Sequence, residues 1–341
     1  MTATLRDVAA RAGVSVNTVS RALNNSGYVS RGARDRVTAA AAELQYIPNA
    51  IASSLRSQRT QSLALLLTDI TNPFWTTVAR GVEDTAIAAG YGVMLCNTDE
   101  DPAKEARYLD WLTRRRIDGL VVGPTTESTE LLQNLLRRGA PFVIVDRWVR
   151  GVAADSVRGD SHGGAYAATR HLLETGFRRV ALIGGPATVS TADEREAGYR
   201  AALADAGVAA DPALIRRASY RQTAGYDATR SLLASDRPPD AIFAGNSLIA
   251  LGVLEAARSL GRRVPEDVAL VSFDDFPYAA VALPFLTAVV QPAAEIGRQA
   301  ARLLLERLAN PAAPPRALIL PTELVVRRSC GCGSPALFGA A

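Results

Sequence analysis

The stretch Thr4-Leu5-Arg6-Asp7-Val8-Ala9-Ala10-Arg11-Ala12-Gly13-Val14-Ser15-Val16-Asn17-Thr18-Val19-Ser20-Arg21-Ala22-Leu23-Asn24 decides how the N-terminus folds. Leu5, Val8, Ala9 and Ala12 recur at helical spacing and give one apolar face to a first helix. Gly13 supplies the positive φ that a tight turn between helices requires. Ser15 is a good N-cap for a second helix, because its hydroxyl satisfies an orphan amide. Val19, Ala22 and Leu23 then bury that helix against the first. Small Ala9, turning Gly13 and apolar Val19 fall where two helices cross closely, so the spacing predicts a helix-turn-helix. Ser30 caps a third helix carrying Ala33, Val37, Ala40, Ala41 and Leu44 on one side. A head of under about 50 residues is small for independent stability, so docking and partner contacts matter to it.

Charge follows the same boundary. Residues 1–60 carry eight arginines against Asp7, Asp35 and Glu43, while the whole chain of 341 residues has a formal net charge of only +4. A basic head on a nearly neutral body is the electrostatic footprint of nucleic-acid binding. Residues 48–60 are polar with a few spaced apolar side chains and read as a linker able to turn helical. From Ser62 onward, apolar runs of strand length (Leu63–Leu67, Gly92–Cys96, Gly119–Val122, Phe142–Val145, Val180–Ile183, Ala241–Ala244, Val268–Phe273) alternate with amphipathic helical stretches. That alternation predicts right-handed crossovers and parallel sheets covered on both faces. So many units predict two α/β lobes, each offering ligand groups at strand carboxyl ends. A single closed (β/α)₈ barrel is the alternative fold.

Composition narrows the class. No apolar run reaches the ~18 residues of a membrane span. The first residues lack the basic-then-apolar pattern of an export signal, so a cytoplasmic protein is expected. Three cysteines make no disulfide framework, in keeping with a reducing compartment.

Residues 4–15 and 18–24, together with Tyr46-Ile47-Pro48-Asn49-Ala50 and Ser54-Leu55, resemble the head of the lactose/galactose repressor (LacI/GalR) family. The resemblance continues through Asn72-Pro73-Phe74-Trp75, Ile117-Asp118-Gly119-Leu120, Val264-Pro265-Glu266-Asp267-Val268, Ser272-Phe273-Asp274 and Arg327-Arg328-Ser329-Cys330-Gly331. It implies a small all-α helix-turn-helix head and an α/β core of two periplasmic-binding-protein-like (type I) lobes with parallel sheets. The implied boundaries are a head at 1–47, a hinge at 48–60, a first lobe at 61–160 plus 291–321, a second at 161–290 plus 322–330, and a tail at 331–341.

In a helix-turn-helix the second helix enters the major groove with its N-terminal residues against base edges. Here those are Val16, Asn17 and Thr18, with Arg21 one turn on. Asn can pair with adenine and Arg with guanine, whereas Val16 offers apolar contact, as to a thymine methyl. The resemblance implies that Val16, Asn17 and Arg21 specify an operator. Ser15, Thr18, Ser20 and Asn24 are placed as phosphate or capping groups, which position without specifying. The resemblance also assigns Asn49, Ala52, Leu55 and Arg56 to a hinge helix on DNA. Leu55 read alone is a core leucine; by resemblance it wedges into the minor groove and kinks the duplex. A segment this short and polar is expected to order on binding, because helix nucleation is costly.

The core shows no enzyme constellation, so neither an enzyme nor a bound cofactor is expected. His162 and His171 read as surface or capping histidines, and Cys330 and Cys332 make a C-x-C without partner ligands, so no metal is expected. Gly184-Gly185-Pro186 lacks a phosphate-loop lysine or dinucleotide fingerprint and reads as a turn at the cleft. Phe74, Trp75, Asp146, Arg147, Asn246 and Asp274 follow strands, and Arg195 opens the helix after the Gly-Gly turn. Aromatics to stack on a ring, with Asp, Asn and Arg for hydroxyls, are the fittings of a sugar site. The resemblance adds Thr191 and makes Tyr220 a stacking residue. It sets Val189 where purine-responsive relatives carry arginine, which points away from a nucleobase. The expected partners are a pseudo-palindromic operator, a sugar-like effector and a second copy of the chain, because residues 330–341 carry no leucine heptad for a tetramer. A corepressor-type purine repressor, a free-standing sugar-binding protein and an α/β enzyme are the competing readings.

Overall fold

The first helix, α1 (Leu5–Ala12), begins in a capping box. The Thr4 hydroxyl accepts from the Asp7 amide at 3.4 Å, and the Asp7 carboxylate accepts from the Thr4 amide at 2.8 Å. It ends at Gly13, whose φ of 63° turns the chain into α2 (Val16–Leu23), capped by Ser15. Ser30 caps α3 (Arg31–Glu43). Val8, Val19 and Val37, one from each helix, are fully buried together. Two arginines of α3 add what so small a core lacks. Arg36 donates to the Ala12 carbonyl at 3.2 Å and Arg34 to the Ala22 carbonyl at 3.1 Å, satisfying acceptors that α1 and α2 leave open at their C-terminal ends.

This computed structural model describes residues 3–24, 26–47, 59–125, 128–276 and 286–332. The chain divides into two compact units at Thr60/Gln61. The second unit contains two six-stranded sheets. The first is built from β1 (Ser62–Leu67), β2 (Gly92–Asn97), β3 (Gly119–Val122), β4 (Phe142–Val145), β5 (Asp155–Gly159) and β11 (Ala317–Leu320), in the order β11-β5-β4-β3-β1-β2, and is parallel throughout. The second contains β6 (Val180–Gly184), β7 (Ile215–Arg217), β8 (Ala241–Ala244), β9 (Ala269–Phe273), β10 (Thr287–Val290) and β12 (Glu323–Val325), ordered β12-β10-β9-β8-β6-β7. Only β12 runs antiparallel to its neighbour, because it enters on the chain's last return from the first sheet. The chain therefore passes between sheets after β5, after β10 and after β11.

Helices cover both faces of each sheet. In order they are α4 (Pro73–Ala88), α5 (Pro102–Arg114), α6 (Thr129–Arg137), α7 (Ser161–Glu174), α8 (Ser190–Asp205), α9 (Gln222–Leu233), α10 (Ser247–Ser259) and α11 (Ala293–Ala309). The α4–α11 crossing is glycine-dependent. A Cβ on Gly81 would lie 2.2 Å from the Ala294 carbonyl oxygen, and one on Gly297 would lie 2.1 Å from that of Val78. This contact returns α11 to the first lobe although the chain has just left the second. The apolar-run reading finds the fully buried strands but misses β5, β7, β10, β11 and β12. Most of these are half-polar or edge strands; β11, for instance, alternates exposed and half-buried residues.

Candidate functional site

Between the two sheets lies a cavity of about 490 Å³, lined by residues that follow strand carboxyl ends in both. From the first lobe come Thr68, Asp69, Phe74 and Trp75 after β1, Asp99 and Glu100 after β2, and Asp146 and Arg147 after β4. From the second come Thr191 and Arg195 on α8, Tyr220 and Arg221 after β7, Asn246 after β8 and Asp274 after β9. All nine residues expected at an effector site line this one cavity.

Phe74 and Trp75 meet edge to face with centroids 5.2 Å apart, and Asn72 holds them by capping α4. Trp75 closes over Gly123, where a Cβ would come within 2.3 Å of the indole. Arg195 is buried with its guanidinium 3.7 Å from the Phe273 ring centre, and it donates to the Gly245 carbonyl at 2.6 Å. Its Nε has no hydrogen-bond partner among the described residues. Arg147 grips Glu100 through two nitrogens at 2.8 and 2.5 Å and also donates to the Pro124 carbonyl. Its Nε makes no hydrogen bond among the described residues and faces Asp146 Oδ2 at 3.7 Å. The Tyr220 hydroxyl stands 3.4 Å from Thr191 Oγ1. Asn246 Oδ1 caps α10, accepting from the Ile249 amide at 2.8 Å.

Asp146 and Asp274 both leave their strands in the left-handed region, at φ 67° and 65°, a conformation Asp tolerates better than most residues. Burial pushes the Asp146 carboxyl up to about 6, against the pull of Arg147 and Arg195, and the charge of Asp274 adds to the rise. Asp274 is also raised, by burial first, although Arg195 and a 2.7 Å bond from Gln291 hold it back.

In the head, Ser15, Val16, Asn17, Arg21 and Asn24 are exposed and Thr18 is half-buried. Ser15 Oγ accepts from the Thr18 amide at 3.1 Å and lies 2.9 Å from its hydroxyl, so the two form one capping pair. Ser20 is buried, and Asn24 Nδ2 bonds its carbonyl oxygen at 2.9 Å. Ser20, expected as a phosphate or capping group, is thus turned inward, with its hydroxyl 3.4 Å from Asn24 Nδ2. Asn49, Ala52, Leu55 and Arg56 lie outside the described residues.

Residues 4–49 match the model of the bacterial regulatory proteins of the lacI family, and residues 169–330 match a periplasmic binding protein-like domain. The ribose operon repressor of Halalkalibacterium halodurans is 37% identical over 326 residues, 96% of this chain and 96% of that protein. The chain belongs to the LacI family. The transcriptional repressor PurR of Photobacterium profundum is 33% identical over 328 residues, covering 96% of this chain and 98% of the relative. Among solved structures, a complex of the regulator CelR with cellobiose matches with a TM-score of 0.74 at 36% identity, covering 96% and 99% of the two chains. The lac repressor dimer bound to operator and ONPF matches at 0.86 and 25% identity, covering 97% and 99%.

The LacI family consists of transcriptional regulators, and no helix among the described residues is long and apolar enough to cross a membrane. In this LacI-family chain the cavity holds more than sequence reading named. Thr68, Asp69, Asp99, Glu100 and Arg221 also line it, and Gln291 bonds Asp274. The polar runs after β1 and β2 carried that signal, by the same strand-end rule that found Asp146. The C-x-C pair, expected to lack partner ligands, has one nearby. His171 Nε2 lies 3.4 Å from Cys332 Sγ, 161 residues away in sequence.

Proposed function

We propose that this chain is a ligand-responsive repressor that binds a pseudo-palindromic operator as a dimer and holds a neutral, polyhydroxylated effector, a sugar, between its lobes. One observation carries the ligand class. Five carboxylates (Asp69, Asp99, Glu100, Asp146, Asp274) and three guanidiniums (Arg147, Arg195, Arg221) line the cavity beside Phe74, Trp75 and Tyr220. An excess of carboxylates repels anions, while sugar hydroxyls can donate to carboxylates and accept from guanidiniums. The aromatic rings give a sugar's apolar face something to stack on. The ribose repressor and cellobiose-bound regulator among its relatives support the same class. Similarity to PurR favours a purine corepressor as the second reading. In the head, Val16, Asn17 and Arg21 read bases while Ser15, Thr18 and Asn24 position the helix on phosphates. The hinge residues Asn49, Ala52, Leu55 and Arg56 contact the minor groove. Such a protein works in the cytoplasm, where the DNA is.

The test uses the full chain. Binding-site selection from random DNA yields the operator, and thermal-shift screening of mono- and disaccharides beside purine bases yields the ligand. Arg21→Ala should broaden base choice in each half-site at a cost of ~1–3 kcal/mol per lost bidentate pair. Arg195→Ala and Asp274→Ala should keep operator binding and lose the effector response. An unchanged consensus at wild-type affinity for Arg21→Ala, or a full response in both cleft variants, would refute the assignment. A purine hit without any sugar hit favours the second reading.

A further inference from the structure

Helix α7 runs back from the cleft, so its last turn lies at the amino ends of the second sheet's strands, roughly 15 Å along the helix from its start. There His171 meets the end of the described chain. A ring nitrogen of His171 and the Sγ atoms of Cys330 and Cys332 all lie within 4.8 Å of one another. Gly331, at φ 78°, makes the turn that brings both thiols to the helix. Cys330 is fully buried in the lobe's core, whereas His171 and Cys332 are half-buried and open to solvent.

We propose that His171, Cys330 and Cys332 form a binding site for Zn²⁺ that fastens the chain's last described turn to α7. Two thiolates and an imidazole around zinc, at bond lengths of about 2.3 and 2.0–2.1 Å, sit about 3.5–3.8 Å from one another in a tetrahedron. The 3.4 Å between His171 Nε2 and Cys332 Sγ is close to that spacing, and the 4.8 Å that bounds all three separations is about 1 Å wider than it. Three protein ligands leave a fourth position, which water fills from the solvent side. Outer partners are in place. The Thr287 hydroxyl accepts from the Arg327 amide at 2.8 Å and donates to Cys330 Sγ at 3.2 Å, and the same Sγ lies 3.2 Å from the Arg327 carbonyl oxygen. The Thr175 hydroxyl stands 3.3 Å from Cys332 Sγ. On binding, two S–H bonds are exchanged for two Zn–S bonds, both protons pass to solvent, and no electron is transferred.

The chain makes the test clean, since it contains only two histidines and three cysteines. Untagged, reduced, metal-stripped protein is titrated with Zn²⁺ against a chromophoric chelator and with Co²⁺ as a spectroscopic probe. One ion per chain, a thiolate-to-cobalt charge-transfer band, proton release and a Zn²⁺-dependent rise in Tm are expected. Cys332→Ser and His171→Gln, both at half-buried positions and checked for folding by circular dichroism, should lose at least about tenfold in Zn²⁺ affinity, the lower bound for losing even an outer partner. Cys96→Ser, in the other lobe's core, should bind as wild type. No uptake by the wild-type protein at micromolar free Zn²⁺, or wild-type binding in both Cys332→Ser and His171→Gln, overturns the proposal.

Discussion

Asp146 carries a cost that only the cleft explains. Burial raises its carboxyl from 3.8 to about 6 even with Arg147 and Arg195 nearby, so the folded chain holds the proton more tightly than the unfolded one. Below about pH 4 the group is protonated in both states and costs nothing. Above the folded value it is ionised in both, and the native state bears the full cost of a buried charge. Stability from this residue is therefore lost as pH rises between about 4 and 6. Asp146→Asn, which keeps the shape and tolerates the positive φ, should raise Tm near pH 7.5, and the gain should vanish near pH 4. Calorimetry of both proteins at the two pH values checks the sign. A carboxylate kept at this cost is well suited to accept ligand hydroxyls, and stability given up at a binding site is a common exchange.

At the scale of elements, a strut joins the lobes beside the cavity. Arg158 of β5 donates to both carboxylate oxygens of Glu194 on α8, at 2.7 and 2.8 Å. Trp148, which follows β4, donates its indole N–H to the same carboxylate at 3.0 Å and its amide to Ser190 Oγ at 3.0 Å. The Arg158 and Glu194 side chains are each 20% exposed, so the contact is worth more than a surface pair and less than a fully buried one, roughly 1–3 kcal/mol. It favours the lobe angle seen here. Glu194→Ala should shift the ligand-free protein toward other angles, visible as a larger radius of gyration in X-ray scattering without loss of helical content. Scattering that superposes on the wild type would show that the strut does not set the angle.

For the whole molecule, the proposed sensing works by differential closure. A ligand that touches both lobes binds best at one angle, and can shift the equilibrium only by the difference in its affinity for the states. If closure is coupled to operator binding, the coupling is typically ~1–3 kcal/mol and reciprocal. Calorimetric ligand titrations with and without a selected operator should thus differ in Kd by the same factor that the ligand changes operator affinity. Equal ligand affinity in both titrations would leave the cavity unconnected to DNA binding. Light scattering should give a mass of two chains, matching a two-fold operator.

Local sequence determined what depends on few neighbouring residues. Thr4, Gly13, Ser15 and Ser30 place the ends of the head helices because caps and a positive φ are decided within one turn of chain. The runs at β1, β4 and β8 are legible because strands buried on both faces must be apolar at nearly every position. Strand-end chemistry likewise pointed to Asp146, Arg195, Asn246 and Asp274, and the family motifs extended that list to Tyr220. The tertiary structure alone decided the rest. Edge strands β7 and β12 exist because a neighbour supplies their hydrogen bonds, not because their own side chains demand it. Arg34 and Arg36 look like spare positive charge until α1 and α2 present bare carbonyls to them. Asp146 and Asp274 become one acidic site only when two sheets face each other, and His171 finds Cys332 only when the chain end folds back on α7. Each of these depends on groups far apart in the chain, and no short spacing in a sequence encodes such a distance.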